Sequence, residues 1–225
     1  MTGTALNVAA TRVGTEVLGP GVRSVLWVQG CPLSCAGCMA PDWIPFRPAR
    51  IAEPLELAEE LLADQRVMGL TFSGGEPMAQ AAGLAEVARA AKAVRDVSVI
   101  CFTGHRLERL RSRPSGPGVR QLLDETDVLI DGPYVAALDD GRGLRGSSNQ
   151  RVHLLTARYA DSGYDFVGRP RAAEIAVSGP EALLVGVPPP GLIGAFDHAV
   201  DAVRARMAGP VPPHASEGRE PHHER

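Results

Sequence analysis

Lysine is almost missing from this sequence. Lys92 is the only lysine among 23 basic residues, and 26 acidic residues leave a formal net charge of −3. A general nucleic-acid binder would instead carry a strongly basic patch or stripe. The charge balance therefore predicts a protein that does not bind nucleic acid.

Long apolar runs are missing as well. The sequence contains no stretch of about 18 consecutive apolar residues, the length that a membrane-spanning helix requires. Residues 1–17, MTGTALNVAATRVGTEV, lack the basic segment and apolar run of a secretory signal. We therefore expect a cytoplasmic protein that makes no contact with a membrane.

Cysteine is scarce and unevenly distributed. Three of the four cysteines, Cys31, Cys35 and Cys38, lie within eight residues. A disulfide scaffold would spread its cysteines to join distant loops, whereas a tight cluster in a reducing compartment more often binds metal. The fourth, Cys101, lies in the apolar run VSVICF and is interpreted as a small buried side chain.

Apolar residues are plentiful. They make up 44% of 225 residues, which is enough for one domain with a buried core. Hydrophobic patterns alternate between strand and helix, and this alternation predicts right-handed crossovers and a parallel sheet. The predicted strands are 23–28, 67–72, 97–102, 127–130 and 150–155. The first predicted helix begins at Pro54 and has Leu55, Ala58, Leu61 and Leu62 on one face. Two further helices are predicted over 84–91 and 107–111.

The C-terminal part is less regular. Residues 173–187 predict two short strands around Gly179-Pro180, and apolar residues between Ile193 and Met207 have the spacing of a closing helix. Residues 209–225 have no apolar periodicity, which predicts a disordered tail. We therefore expect one domain over 1–208, with its core at about 14–155, followed by the tail.

Unusual residues follow each of the first four predicted strands. The cysteines come after the first strand, and Ser73-Gly74-Gly75-Glu76-Pro77 comes after the second. Thr103-Gly104-His105 and Asp131-Gly132-Pro133 come after the third and fourth. In parallel sheets, functional groups collect at the carboxyl ends of the strands. The sequence thus predicts a single site formed by these four loops.

The cysteine spacing, C-x3-C-x2-C, favours a [4Fe–4S] cluster. Three thiolates in one loop can hold three corners of a cubane, and the fourth iron stays open to a substrate. A structural zinc site normally needs four protein ligands. Because Cys101 or a histidine could supply a fourth ligand, a zinc site remains the alternative.

Further segments resemble a known superfamily. They are Gly19-Pro-Gly-Val-Arg23, SVLWVQGC, Cys38-Met-Ala-Pro41 with Trp43, FSGGEP, Thr103-Gly104, DVLIDGPY and Gly146-Ser-Ser-Asn-Gln-Arg151. In this order, over about residues 14–155, the sequence resembles the radical S-adenosylmethionine superfamily. Within it, the sequence is similar to the activating enzymes of glycyl-radical enzymes, especially the anaerobic ribonucleotide reductase activase.

The resemblance implies a role for each matching residue. Cys31, Cys35 and Cys38 would ligate the cluster, and S-adenosylmethionine would chelate the fourth iron. The implied cofactor-binding residues are Gly74, Gly75 and Glu76 for the methionine amino group, Gly37 and Met39 for the adenine side, and Thr103 and Asp131 to complete the pocket. For Thr103, Asp131 and Asn149, a turn cap, a strand-end turn or a loop hydrogen bond remains the alternative.

The resemblance also implies an architecture, a reaction and partners. The fold would be an α/β partial (β/α) barrel, open on one side, with a C-terminal extension. Cleavage of S-adenosylmethionine would give a 5′-deoxyadenosyl radical that installs a glycyl radical on a partner enzyme. A flavodoxin- or ferredoxin-like protein would donate the electron. The alternatives are a radical enzyme that modifies a peptide or small molecule, and a non-catalytic metal-binding protein.

Overall fold

The centre of the structure is a seven-stranded mixed sheet, seen in a computed structural model that describes residues 4–178 and 181–207. Its strand order is β3-β1-β2-β4-β5-β6-β7. The strands are β1 Leu6–Thr15, β2 Arg23–Val28, β3 Arg50–Ala52, β4 Gly69–Gly74, β5 Ser98–Thr103, β6 Val128–Asp131 and β7 Arg151–Leu154. The predicted tail, 209–225, lies outside the described residues.

Four strands at the centre of the sheet, β2, β4, β5 and β6, are parallel. The strands outside them, β1, β3 and β7, pair antiparallel. The expectation of a parallel sheet is therefore correct for the centre and wrong for β7, which returns through a loop rather than a crossover helix. The sheet ends at β3 and β7 and does not close into a barrel.

Helices cover one face of the sheet. They are α1 Pro54–Leu61, α2 Ala81–Val94, α3 Leu107–Ser112 and α4 Val119–Glu125. Proline is favoured at the first position of α1 because its missing N–H would have no partner there. The predicted apolar face of α1 was wrong at Leu55, which is 68% exposed, because the buried face runs through Leu57 and Leu61.

Residues 155–189, which follow β7 within the first unit, cover the other face. They include a hairpin of β8 Ala173–Ser178 and β9 Glu181–Gly186, as predicted. Val185 and Val187 pack against Val25 and Trp27 of β2, and a second apolar cluster joins Phe166 to strands β5 and β6. Because both faces are covered, every residue of β2 is buried.

A second unit begins at Pro190. Its described part contains α5 Leu192–Met207, which agrees with the helix predicted from apolar spacing. None of the helices in the described part of the chain combines the length and apolar character that a membrane crossing demands.

Candidate metal and cofactor site

The three clustered cysteines lie on the loop that follows β2. All three are half-buried, and none of the four cysteines of the chain is in a disulfide. Ser34 and Gly37 adopt left-handed backbone conformations, with φ of 43° and 73°, and the amide of Cys38 donates to the carbonyl of Cys35 at 3.2 Å. The loop therefore turns back within eight residues and keeps the three thiols on one short segment.

Burial and backbone amides act on the Cys31 thiol in opposite directions. Burial raises its pKa, and the amides of Leu33 and Ser34 partly offset this because they favour the thiolate. In residues 4–178 and 181–207, no three His, Cys, Asp or Glu side chains are grouped closely enough to hold a single metal ion. A cubane differs from a single ion because each thiolate binds a different iron.

The Gly-Gly-Glu segment is held against the start of the cysteine loop. The amide of Gly75 donates to the carbonyl of Val28 at 2.7 Å, and the amide of Glu76 donates to the carbonyl of Gly30 at 2.9 Å. A Cβ on Gly75 would lie 2.2 Å from the Gly30 oxygen. Glycine is required here because two backbone segments meet with no room for a side chain.

We expect Gly75→Ala to lower stability by about 1–3 kcal/mol, the usual cost of overpacking. The added Cβ must push the Gly30 carbonyl, and with it the adjoining Cys31. Thermal unfolding and iron content after anaerobic reconstitution measure both effects. Gly116→Ala is the matched control because its Cβ would meet nothing closer than 4.0 Å. Equal iron content and equal unfolding temperatures in the two variants would contradict the close contact at Gly75.

Glu76 is buried at the point where β4 and β5 end. Its Oε1 accepts hydrogen bonds from the amide of Met78 and the hydroxyl of Thr103, both at 2.8 Å. Its Oε2 accepts one from the amide of Gly104 at 2.9 Å. Burial raises the pKa of Glu76, and these hydrogen bonds oppose the rise. Oε2 keeps capacity to accept a further hydrogen bond.

Thr103 and Gly104 connect the end of β5 to the Gly-Gly-Glu segment and to the cysteine loop. Thr103 binds Glu76, and the side chain of Leu33 lies so close to Gly104 that a Cβ there would be 2.3 Å from its Cδ1. Leu33 was not predicted as a site residue from the sequence. The available signal was an apolar residue between two clustered cysteines.

Asp131, at the end of β6, is fully buried among protein groups. Its carboxylate accepts from the amide of Leu107 at 2.7 Å and from the guanidinium groups of Arg106 and Arg151 at 3.2 and 2.7 Å. Burial alone would raise its pKa, but hydrogen bonds from Arg151 and Leu107 outweigh this and lower it to about 2. These contacts agree with a structural role, in which Asp131 stabilises the turn at the end of β6. A contact with a cofactor stays a prediction.

The segments 131–134 (DGPY) and 146–151 (GSSNQR) approach the cysteine loop from the β6–β7 side. Gln150 joins them to each other, since its Oε1 accepts from the amide of Gly146 and its Nε2 donates to the carbonyl of Gly132, both at 2.7 Å. A Cβ on Gly146 would lie 2.6 Å from Cε of Met39. A Cβ on Gly37 would lie 3.2 Å from Cβ of Ala136.

The four strand-end loops are thus linked by direct contacts, in which Gly37, Met39, Gly75, Glu76 and Thr103 take part. The second and third loops contact the cysteine loop through Gly75 and Leu33. The segment after Asp131 contacts it through Ala136 and Gly146. Asp131 itself lies within its own ionic cluster.

Comparison with known proteins gives consistent matches. A family described as "4Fe-4S single cluster domain" matches residues 17–153. An anaerobic ribonucleoside-triphosphate reductase-activating protein of Vibrio cholerae is 33% identical over 151 residues, which cover 62% of this chain and 92% of the relative. The protein of that name in Escherichia coli K12 is 34% identical over 152 residues with the same coverage.

A second kind of relative matches over a shorter region. A pyruvate formate-lyase-activating enzyme of Staphylococcus aureus is 41% identical over 68 residues, which cover 28% of this chain and 27% of that enzyme.

Proposed function

Because the chain belongs to the 4Fe-4S single cluster domain family, together with the anaerobic ribonucleoside-triphosphate reductase-activating proteins, we propose that it activates a glycyl-radical enzyme. It is an enzyme of the radical S-adenosylmethionine type, and its cofactors are a [4Fe–4S] cluster and S-adenosylmethionine. The observation that carries the proposal is the similarity over 92% of the length of a reductase-activating protein.

The residues present fit such a cluster better than a zinc ion. Three unpaired thiols on one loop supply three ligands, and the cubane needs no more from this loop. Cys101 is unsuited to be a fourth zinc ligand, because it is fully buried in the core between the sheet and the helices. Its place in that core supports the interpretation of Cys101 as a small apolar side chain.

When bound, the cluster supplies the electron that cleaves S-adenosylmethionine into methionine and a 5′-deoxyadenosyl radical. In our proposal, Cys31, Cys35 and Cys38 hold the cluster, and Glu76 accepts a hydrogen bond from the ammonium of S-adenosylmethionine. Gly74 and Gly75 place that carboxylate beside the cysteine loop, while Thr103 orients it. Gly37 and Met39 line the adenine side, and Asp131 completes the pocket.

We also propose the finer features that the resemblance implies. The sheet would curve into a partial (β/α) barrel, open on one side, so that a glycine of the partner enzyme reaches the site. The radical would abstract a hydrogen atom from that glycine, giving 5′-deoxyadenosine and a glycyl radical. A flavodoxin- or ferredoxin-like donor and a cytoplasmic location belong to the same proposal.

The test has two stages. Anaerobically reconstituted protein is reduced and given S-adenosylmethionine, and we expect slow release of 5′-deoxyadenosine and methionine. An anaerobic ribonucleotide reductase from the same genome is then added, and we expect a glycyl radical signal by electron paramagnetic resonance. Cleavage without a glycyl radical on the reductase would favour a radical enzyme with a peptide or small-molecule substrate. No cleavage at all would favour a non-catalytic metal-binding protein.

A further inference from the structure

We propose that Arg171 is a positioning residue, which holds the 139–146 loop against the cysteine loop and so fixes one side of the site. That Arg171 holds this loop follows from the contacts of its own side chain. Its relevance to a cluster rests on the proposed function.

The side chain of Arg171 is fully buried and binds two parts of the chain, the 139–146 loop and Pro188. Its guanidinium forms a salt bridge with Asp139 at 2.8 Å and donates to the carbonyls of Arg145 at 2.8 Å and Gly146 at 2.9 Å. It also donates to the carbonyl of Pro188 at 3.1 Å. A buried charge is tolerated only when it is paired and hydrogen-bonded, so this loop conformation and the buried guanidinium depend on each other.

The Arg171 contacts lead to the cysteine loop through Gly146. Gly146 lies directly against the Met39 side chain, with no room for a Cβ between them. Within the same group of residues, Asp139 accepts a hydrogen bond from the Tyr134 hydroxyl at 3.4 Å. The Tyr134 ring also lies beside Gly146, since a Cβ there would be 3.0 Å from its Cδ2.

Arg171 lies outside the part of the chain that the family match covers. The family match ends at residue 153, and Arg171 belongs to the segment beyond it that covers the second face of the sheet. This chain therefore adds to the shared domain a residue that contacts the domain's site loops. Met39 directly follows Cys38 in the chain, which makes the contact of Gly146 with Met39 the route by which Arg171 acts on the cluster.

A purely structural alternative is that Arg171 only attaches the added segment to the domain. Arg12 provides the matched control, because its salt bridge with Glu174 at 3.2 Å also joins the added segment to the sheet. The two partners of that ion pair lie on β1 and β8, outside the 139–146 loop. Arg12→Gln removes an attachment without touching the site loops.

The first measurement is hydrogen exchange on the full-length chain, before and after reconstitution of the cluster. In Arg171→Gln we expect amides in 139–150 to exchange about tenfold faster or more, since hydrogen bonds to charged groups are lost. Arg171→Lys keeps the charge and should restore part of the protection. Arg12→Gln should exchange like wild type in this loop.

The second measurement is the electron paramagnetic resonance spectrum of the reduced cluster with S-adenosylmethionine. We expect Arg171→Gln and Tyr134→Phe to keep about four irons and to change the spectrum, while Arg12→Gln leaves it unchanged. If Arg171→Gln fails to fold, Tyr134→Phe and Asp139→Asn still test whether the contacts of the 139–146 loop act on the cluster. Wild-type spectra in both of those variants, or wild-type exchange in Arg171→Gln, overturn the proposal.

Failure of the proposed function has a different outcome. In that case wild type gives no cluster signal that responds to S-adenosylmethionine, yet the exchange experiment still decides whether Arg171 holds the loop.

Discussion

Replacing any one of Cys31, Cys35 or Cys38 with Ala is expected to abolish the iron–sulfur cluster. Wild-type protein reconstituted without oxygen should be brown and hold about four irons per chain, and each single variant should be colourless. The reason is the ligand count, because the described residues place only these three thiols on the loop. Iron, sulfide and visible absorption measured on the same samples check the result.

Cys101→Ala is the control for this series. Its thiol is fully buried on β5, in the core between the sheet and the helices, so the variant should keep the full iron content. The lost sulfur leaves a small cavity, and a stability loss of about 1 kcal/mol is expected. Stoichiometric zinc without a visible chromophore in wild-type protein would refute the cluster, and iron loss in Cys101→Ala would refute the ligand set.

Glu76→Gln is expected to lower the affinity for S-adenosylmethionine by roughly one to two decades. A charge-assisted hydrogen bond is worth about 1.5–3 kcal/mol, and about 1.4 kcal/mol corresponds to a factor of ten. The structure adds a second effect. Both carboxylate oxygens of Glu76 accept from backbone amides, so either orientation of the glutamine places its NH2 group opposite the amide of Met78 or Gly104.

Stability and binding must therefore be measured separately. Thermal unfolding reports the cost of the mismatched donors, and equilibrium binding well below the unfolding temperature reports the cofactor. Glu86→Gln is the control, because Glu86 accepts from the Thr4 hydroxyl at 2.6 Å, away from the strand-end loops. If Glu76→Gln lowers the unfolding temperature but leaves the affinity for S-adenosylmethionine at the wild-type value, Glu76 only stabilises the turn after β4.

The central strands were predictable because both of their faces are buried. Strands β2, β4, β5 and β6 are short apolar runs with a polar or glycine-rich end, and their observed bounds lie within two residues of the expected ones. Strand β1 was missed because its residues Leu6–Thr15 mix polar and apolar side chains, as suits a strand that is only partly buried. Helix α4 was missed because seven residues are too few for a clear helical period.

The loops that form the site were predictable from the sequence. The contacts between those loops were not predictable. Strand ends in a parallel sheet meet at one edge, so the order of strands and motifs already placed the cysteines beside Gly75 and Thr103. The contact of Leu33 with Gly104 depends on how one loop folds over another. The ion pair of Arg171 with Asp139 joins residues 32 positions apart through a segment whose path no local pattern reveals.

The burial of Cys101 divides the four thiols into two classes of reactivity. Thiolates are the species that alkylating reagents attack, and burial raises the pKa of Cys101 well above its usual value. In the folded protein without iron, iodoacetamide should modify the three loop cysteines and spare Cys101. Bound iron would shield those three, and only unfolding would expose the fourth. In one mass spectrum, alkylation of the three loop cysteines therefore reports loss of the cluster, and alkylation of Cys101 reports unfolding.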